Sequence, residues 1–199
     1  MRRRLTVPDL GGARAAILHR PHATVQALTR QLAAIGLTAE AHWPDLGPSA
    51  LGADYAFFDA DMGHDAQFPW APGAAPMPTV ALIGSEAPGR VEWALGMGAD
   101  AQLLKPVGDN GVYSALLIAR ASFEARRALA AEIAGLRSRL AERQTVIRAV
   151  TMLAAEGRDE DSAYACLRQR AMDWRVTIEE AAARLLAGGE GKHGRRHGS

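Results

Sequence analysis

Residues 163–172 read AYACLRQRAM. At 100° per residue, Ala163, Leu167 and Ala171 fall on one stripe of a helix, four residues apart each time. Arg168 and Arg170 stand beside that stripe, as do Tyr164 and Arg175. Alanines at a contact allow neighbouring helices to approach closely. The pattern therefore predicts a short helix packed along one edge, with cations held at its border. Asp159 is the favoured N-cap, with Asp161 and Ser162 as alternatives, so the helix is expected from about Asp159 to Asp173.

The neighbouring segments read the same way. Thr177 and Glu180 have capping-box spacing at the head of a helix expected to run to Ala187. Gly188 and Gly189 should stop it, and residues 188–199 hold no apolar side chain, so a disordered tail is expected. Upstream, no proline follows Pro106, and residues 109–157 are rich in Ala, Leu, Arg and Glu, which are good helix formers. Leu129, Ile133, Leu136 and Leu140 recur at steps of four, three and four, a heptad seam, continued by Ile147 and Val150, with Arg143 in the place of the next seam residue. Such a seam points to a homodimeric coiled coil, because a long helix without a partner buries little surface. A helical hairpin within one chain and a single amphipathic helix are the alternatives.

The first 120 residues alternate strand-like and helix-like segments. Residues 13–20, 37–43, 54–61, 79–85 and 100–106 read as strands, and residues 23–36 and 88–99 as helices. This rhythm predicts an α/β fold with a parallel sheet covered on both faces. Residues 67–78 hold too many prolines for a regular element, so a short or distorted connection is expected there.

Composition narrows the function classes. The chain has 199 residues and a formal net charge of +1, so bulk charge does not announce a nucleic-acid binder. Residues 1–120 hold 9 basic and 11 acidic side chains and residues 121–199 hold 14 and 11, which places the basic excess in the C-terminal part. One cysteine excludes an intramolecular disulfide framework and a Cys-rich zinc site. No apolar run approaches a membrane span, and the basic N-terminus has no apolar stretch behind it, so a cytoplasmic protein is expected. His22, His42 and His64 lack metal-ligand spacing, and no metal or cofactor is expected. Neither a glycine-rich phosphate loop nor a G-x-S-x-G motif occurs, so an enzyme is not expected.

The C-terminal motif resembles the ANTAR domain, the small three-helix module of bacterial antiterminators. The matching residues are Leu140, Arg143, Val146 or Ile147, Gly157, Ala163, Tyr164, Leu167, Arg168, Ala171 and Met172. The chain departs from the family pattern at Ala149, Leu153 and Ala155, where a lysine, a methionine and a basic residue are common. A receiver-like domain, a coiled coil and then this module is the layout of the amidase-operon (AmiR/NasT-like) antitermination regulators.

The resemblance implies a receiver-like, flavodoxin-like parallel sheet, then a long coiled-coil helix, then the ANTAR module. The expected boundaries are a flexible N-terminus at 1–12, the receiver-like domain at 13–120, a linker helix at 121–139, the RNA-binding domain at 140–187 and the tail at 188–199. It implies binding of nascent leader RNA hairpins by a homodimer, with Tyr164, Arg168, Arg170 and Arg175 as the contacts. Arginine holds phosphate in a fork and stacks on bases, and tyrosine offers a stacking face. Asp59 and Lys105-Pro106 occupy the phosphoacceptor and Lys-Pro positions of a receiver. His19 and Arg20, however, stand where two acids should help hold Mg²⁺, and neither replaces a carboxylate ligand. The expectation is a pseudo-receiver in which Asp59 pairs with Lys105 or Arg20. Control by a ligand-sensing partner of periplasmic-binding-protein type follows from the resemblance alone. A protein-interaction module without RNA binding and a phosphorylated response regulator are the alternatives.

Overall fold

The structure is a computed structural model, and it describes residues 10–193. Residues 10–110 hold five strands and two α-helices: β1 (Arg14–Leu18), α1 (Ala23–Ile35), β2 (Thr38–His42), β3 (Tyr55–Asp59), β4 (Thr79–Ile83), α2 (Pro88–Gly96) and β5 (Ala101–Leu104). The strands make one parallel sheet in the order β2-β1-β3-β4-β5. β3 and β4 are buried at every position. That follows from a central strand having both faces covered.

Alternating side chains divide the core in two. Ile17, Phe57, Val80 and Leu82 face one side, against Leu28 and Leu32 of α1 and Val112, Leu116 and Ala119 of the third helix. Leu18, Phe58, Ala81 and Ile83 face the other. There α2 supplies Ala94, with Met97 at its C-cap, but the connections after β2 and β3 form only short 3₁₀ turns, at Pro48–Gly52 and Asp65–Gln67. Aromatic side chains do the covering that helices would otherwise do. Phe58 meets Phe68 and Trp93 edge to face, with ring centroids 5.4 and 5.7 Å apart. The proline-dense stretch is irregular, as its composition requires.

Gly36 ends α1 at φ 95°, a left-handed conformation that glycine adopts without steric cost. Of the expected flexible N-terminus, residues 1–9 lie outside the described residues. Leu10 differs from that expectation, because it is buried in the core beside α1.

α3 (Val112–Ala154) is one continuous helix of 43 residues. Its first part, to Ala128, belongs to the sheet domain and the rest to a second unit. In that unit Ala149 and Leu153 pack with α4 (Glu160–Trp174) and α5 (Ile178–His193) into a separate core, which also holds Ala163, Leu167, Ala171, Ala181 and Ala182. Asp159 caps α4, its carboxylate accepting from the Ser162 amide at 2.8 Å. Thr177 accepts from the Glu180 amide, but the Glu180 side chain pairs with Arg184 instead of closing the capping box.

α5 passes through Gly188 and Gly189 to His193, beyond the expected stop at Ala187. A glycine inside a helix costs about 1 kcal/mol and does not forbid it. Residues 194–199 of the expected tail lie outside the described residues. The seam residues Leu129, Ile133, Leu136 and Leu140 are 40 to 58% exposed, so no described helix folds back on them.

Leu167 is fully buried at the centre of the second core. Leu167→Ala should cost about 2–5 kcal/mol, read by chemical denaturation followed through far-ultraviolet helix signal.

Candidate functional site

β3 lies in the middle of the sheet, so its last residue, Asp59, reaches the C-terminal edge where α/β sheets place their ligands. Asp59 is 3% exposed. A buried carboxylate needs a counter-charge and hydrogen bonds. Lys105, just after β5, supplies both, its Nζ standing 2.7 Å from Asp59 Oδ1. The Asp61 amide donates to the same oxygen at 3.0 Å. The Lys105–Pro106 bond is cis.

His19 also turns inward and is buried. Its Nδ1 bonds the Arg20 carbonyl at 2.7 Å, and a carbonyl only accepts, so the proton sits on Nδ1. Its Nε2 stands 3.3 Å from Asp59 Oδ2, close enough for an electrostatic contact but out of line for a hydrogen bond. Arg20 is exposed and makes no ion pair with Asp59. Of the two expected partners, then, Lys105 reaches Asp59 and Arg20 does not. The reason is local: after β1 the chain turns His19 toward the sheet edge and Arg20 toward solvent.

Asp61 completes the cluster. Its Oδ2 lies 2.6 Å from Lys105 Nζ, and its carboxylate accepts from the amides of Gly84 and Ser85 at 3.0–3.1 Å. Partial burial acts to raise the Asp61 pKa, but the bonds from Lys105, Ser85 and Gly84 outweigh it and hold the carboxyl below the usual aspartate range. The FFDAD stretch contains Asp61, yet nothing in sequence says that its partners come from beyond β4. Gly84, which donates its amide to both Asp61 oxygens, is equally unmarked in the sequence.

The residues present do not fit a receiver's Mg²⁺. That ion requires several oxygen ligands in octahedral array. Here the two carboxylates are both engaged by Lys105, and no described cluster of three or more acids, histidines or cysteines has the geometry to hold a metal.

The second candidate surface is on α4. Ala163 and Leu167 are fully buried and Ala171 nearly so, which is why alanine and leucine occupy that stripe. Tyr164 and Arg168, four residues apart, form one exposed flank with Met172 next along it. Arg170 falls on the other side of the stripe and is half-buried. Arg175 is exposed at the C-cap in a left-handed conformation, φ 54°. The four arginine and tyrosine candidates therefore do not form one patch: Tyr164 and Arg168 share a flank, Arg175 stands at the helix end, and Arg170 is apart.

Trp174, 41% exposed, adds an aromatic face at that same end, with the Arg184 guanidinium 6.0 Å from its ring centroid. Arg184 had no sequence signal, because it lies on α5. Ala149, where the family pattern commonly has lysine, is fully buried among the helices, as is Leu153, whereas Ala155 is exposed. The difference at 149 thus concerns packing and takes no charge from the surface.

Among the described residues, no helix is long and apolar enough to cross a membrane. No curated protein matches the sequence. Similar solved structures include full-length FixJ from B. japonicum, 18% identical, covering 88% of this chain and 96% of that one with a TM-score of 0.45. The receiver domain of NarL from Mycobacterium tuberculosis is 22% identical, covering 54% and 94%, with a TM-score of 0.42. CheY4 of Vibrio cholerae is 17% identical, covering 54% and 98%, with a TM-score of 0.41. The family model for the ANTAR domain matches residues 134–186. The model described as AmiR, N-terminal matches residues 13–120, more than half of the chain. A receiver-like parallel sheet, a long helix and a C-terminal helical module stand in that order, and the chain belongs to the AmiR/NasT-like family of ANTAR-domain regulators.

Proposed function

We propose that this protein is a cytoplasmic transcription antitermination regulator that binds hairpins of nascent leader RNA as a homodimer. It acts by binding and not by catalysis. The observation that carries the reading is the division of α4 into a buried Ala163–Leu167–Ala171 stripe and an exposed Tyr164–Arg168 flank. Unpaired loop bases are held by stacking on aromatic rings and guanidinium planes, with phosphates gripped by arginine. Tyr164, Arg168 and Arg175 offer those groups, Trp174 with Arg184 extends them, and Arg170 contributes from the other flank.

Control is exerted by a ligand-sensing partner protein rather than by phosphorylation. Lys105 and His19 surround Asp59, and the acids that would accompany it around Mg²⁺ are replaced after β1. Dimerisation uses the exposed seam from Leu129 to Leu140, whose apolar side chains lie open to a partner helix.

Three measurements test the reading. In gel shifts with a two-hairpin leader RNA, Tyr164→Ala and Arg168→Ala should each weaken binding about tenfold or more, in line with ~1–3 kcal/mol per stacked base. Arg170→Ala, on the other flank, should lose less. No complex with the wild type removes the RNA reading and leaves a protein-interaction module. In sedimentation, the wild type should run near twice the 21.2 kDa chain mass, and Leu136→Glu should convert it to monomer. With acetyl phosphate and Mg²⁺, intact mass should show no phosphoryl adduct. An adduct abolished by Asp59→Asn would instead make the domain a working receiver.

A further inference from the structure

The amides of Gly84 and Ser85 and the ammonium of Lys105 point at one place on the C-terminal edge of the sheet. Successive backbone N–H groups with a nearby cation make an anion site. The site is filled by the chain itself. Asp61 Oδ1 accepts from Gly84 and Ser85 at 3.1 and 3.0 Å, and Oδ2 accepts from Gly84 at 3.0 Å and faces Lys105 Nζ at 2.6 Å. These contacts span 23 and 24 residues to the amides, so they close a long-range loop and not a local turn.

The fit is tight. A Cβ added to Gly84 would overlap Asp61 Oδ2 and lie 3.0 Å from Lys105 Cε, so the loop after β4 closes on the carboxylate only because residue 84 is glycine. Lys105 is shared with Asp59, its Nζ standing 2.7 Å from Asp59 Oδ1, so a group carried on Asp59 would compete with Asp61 for that ammonium.

We propose that Asp61 is a built-in substitute for a phosphoryl group. Its carboxylate occupies the anion site permanently and fixes the loops after β4 and β5 in the anion-bound arrangement without a phosphodonor. The depressed Asp61 pKa has the same origin, the donors favouring the charged form. The groups facing Asp61 are Lys105 and the two amides, with Asp59 beside Lys105 and His19 behind Asp59. Nothing in the inference depends on RNA binding, so failure of the antiterminator reading would leave it standing.

The test is amide exchange and chemical shift by NMR on the full chain. In Asp61→Ala, protection of the Gly84 and Ser85 amides should fall tenfold or more while the β4 amides of Ala81 and Leu82 keep theirs. Unchanged protection at 84 and 85 overturns the proposal. In the wild type, a folded-state pKa held below the unfolded one keeps these bonds intact above the ordinary aspartate range, about 4, and loses them as pH falls through the folded value. The Gly84 and Ser85 shifts should follow that acid transition together, and Asp61→Asn should abolish it, which separates it from titration of Asp59. If Asp61→Ala does not fold, this titration decides alone, and amides that ignore it overturn the proposal. Acetyl phosphate with Mg²⁺ should leave both wild-type shifts unmoved; a displacement also overturns it.

Discussion

The structure depends on one helix being buried in two separate cores. α3 is 43 residues long, about 65 Å at 1.5 Å per residue. A helix of that length gains little from propensity alone and is held by the faces it buries. Near its start Leu116 is fully buried against the sheet, and near its end Leu153 is 1% exposed among α4 and α5. Between these anchors the apolar residues from Leu129 to Leu140 have no cover within the described chain. The same element thus completes the first core, begins the second, and leaves a strip of exposed apolar side chains among the described residues. That exposure is the physical ground for the proposed dimer interface.

The sheet edge is arranged around charge balance. Three carboxylates gathered at one strand end would repel one another and would need a divalent cation to neutralise them. This chain keeps one of such a set, Asp59, has Asp61 two residues on, and sets one ammonium between the two. The remaining negative charge is met by backbone amides from three places: residue 61 itself, Gly84 and Ser85. Replacing the acids after β1 by His19 and Arg20 removes the repulsion that a metal would otherwise offset. A buried ion pair of this kind is weak evidence for stability, because desolvation offsets much of the attraction. Its clearer effect is on specificity: Lys105 has one place to go, and it ties the loops after β3, β4 and β5 together.

Much of this was legible in the residues. The strands read from apolar runs at 13–20, 54–61 and 79–85 all formed within those bounds, because buried parallel strands need continuous apolar sequence. Gly36 and Asp159 act at the helix termini where their side chains, or the lack of one, are required. Long-range closures were not legible. Asp61 reads as one more acid after β3 until β4 places Gly84 and Ser85 over it. Arg184 meets Trp174 only when α5 folds beside α4. The Tyr164–Arg168 flank followed from helical spacing, whereas the half-burial of Arg170 depended on packing that spacing does not encode. The continuation of α5 past Gly188 shows the limit of stop signals, since glycine lowers helix stability without blocking the next hydrogen bond.

Charge arithmetic sharpens what the second unit must rely on. Residues 129–193 hold 10 basic and 10 acidic side chains, so the helical module has no net attraction for a polyanion. The basic excess of the C-terminal part comes from Arg126 and Arg127 before it and Arg195 and Arg196 after it. Within α4, Glu160 and Asp161 occupy the first turn, where carboxylates favour the helix dipole; Arg168 and Arg170 lie past the middle, Asp173 is in the last turn and Arg175 is the C-cap. On the proposed RNA-binding reading, the nucleic acid would be held by a few stacking and guanidinium contacts, and so by the shape of exposed bases more than by the number of phosphates neutralised. Two modules presented together would add avidity for paired hairpins.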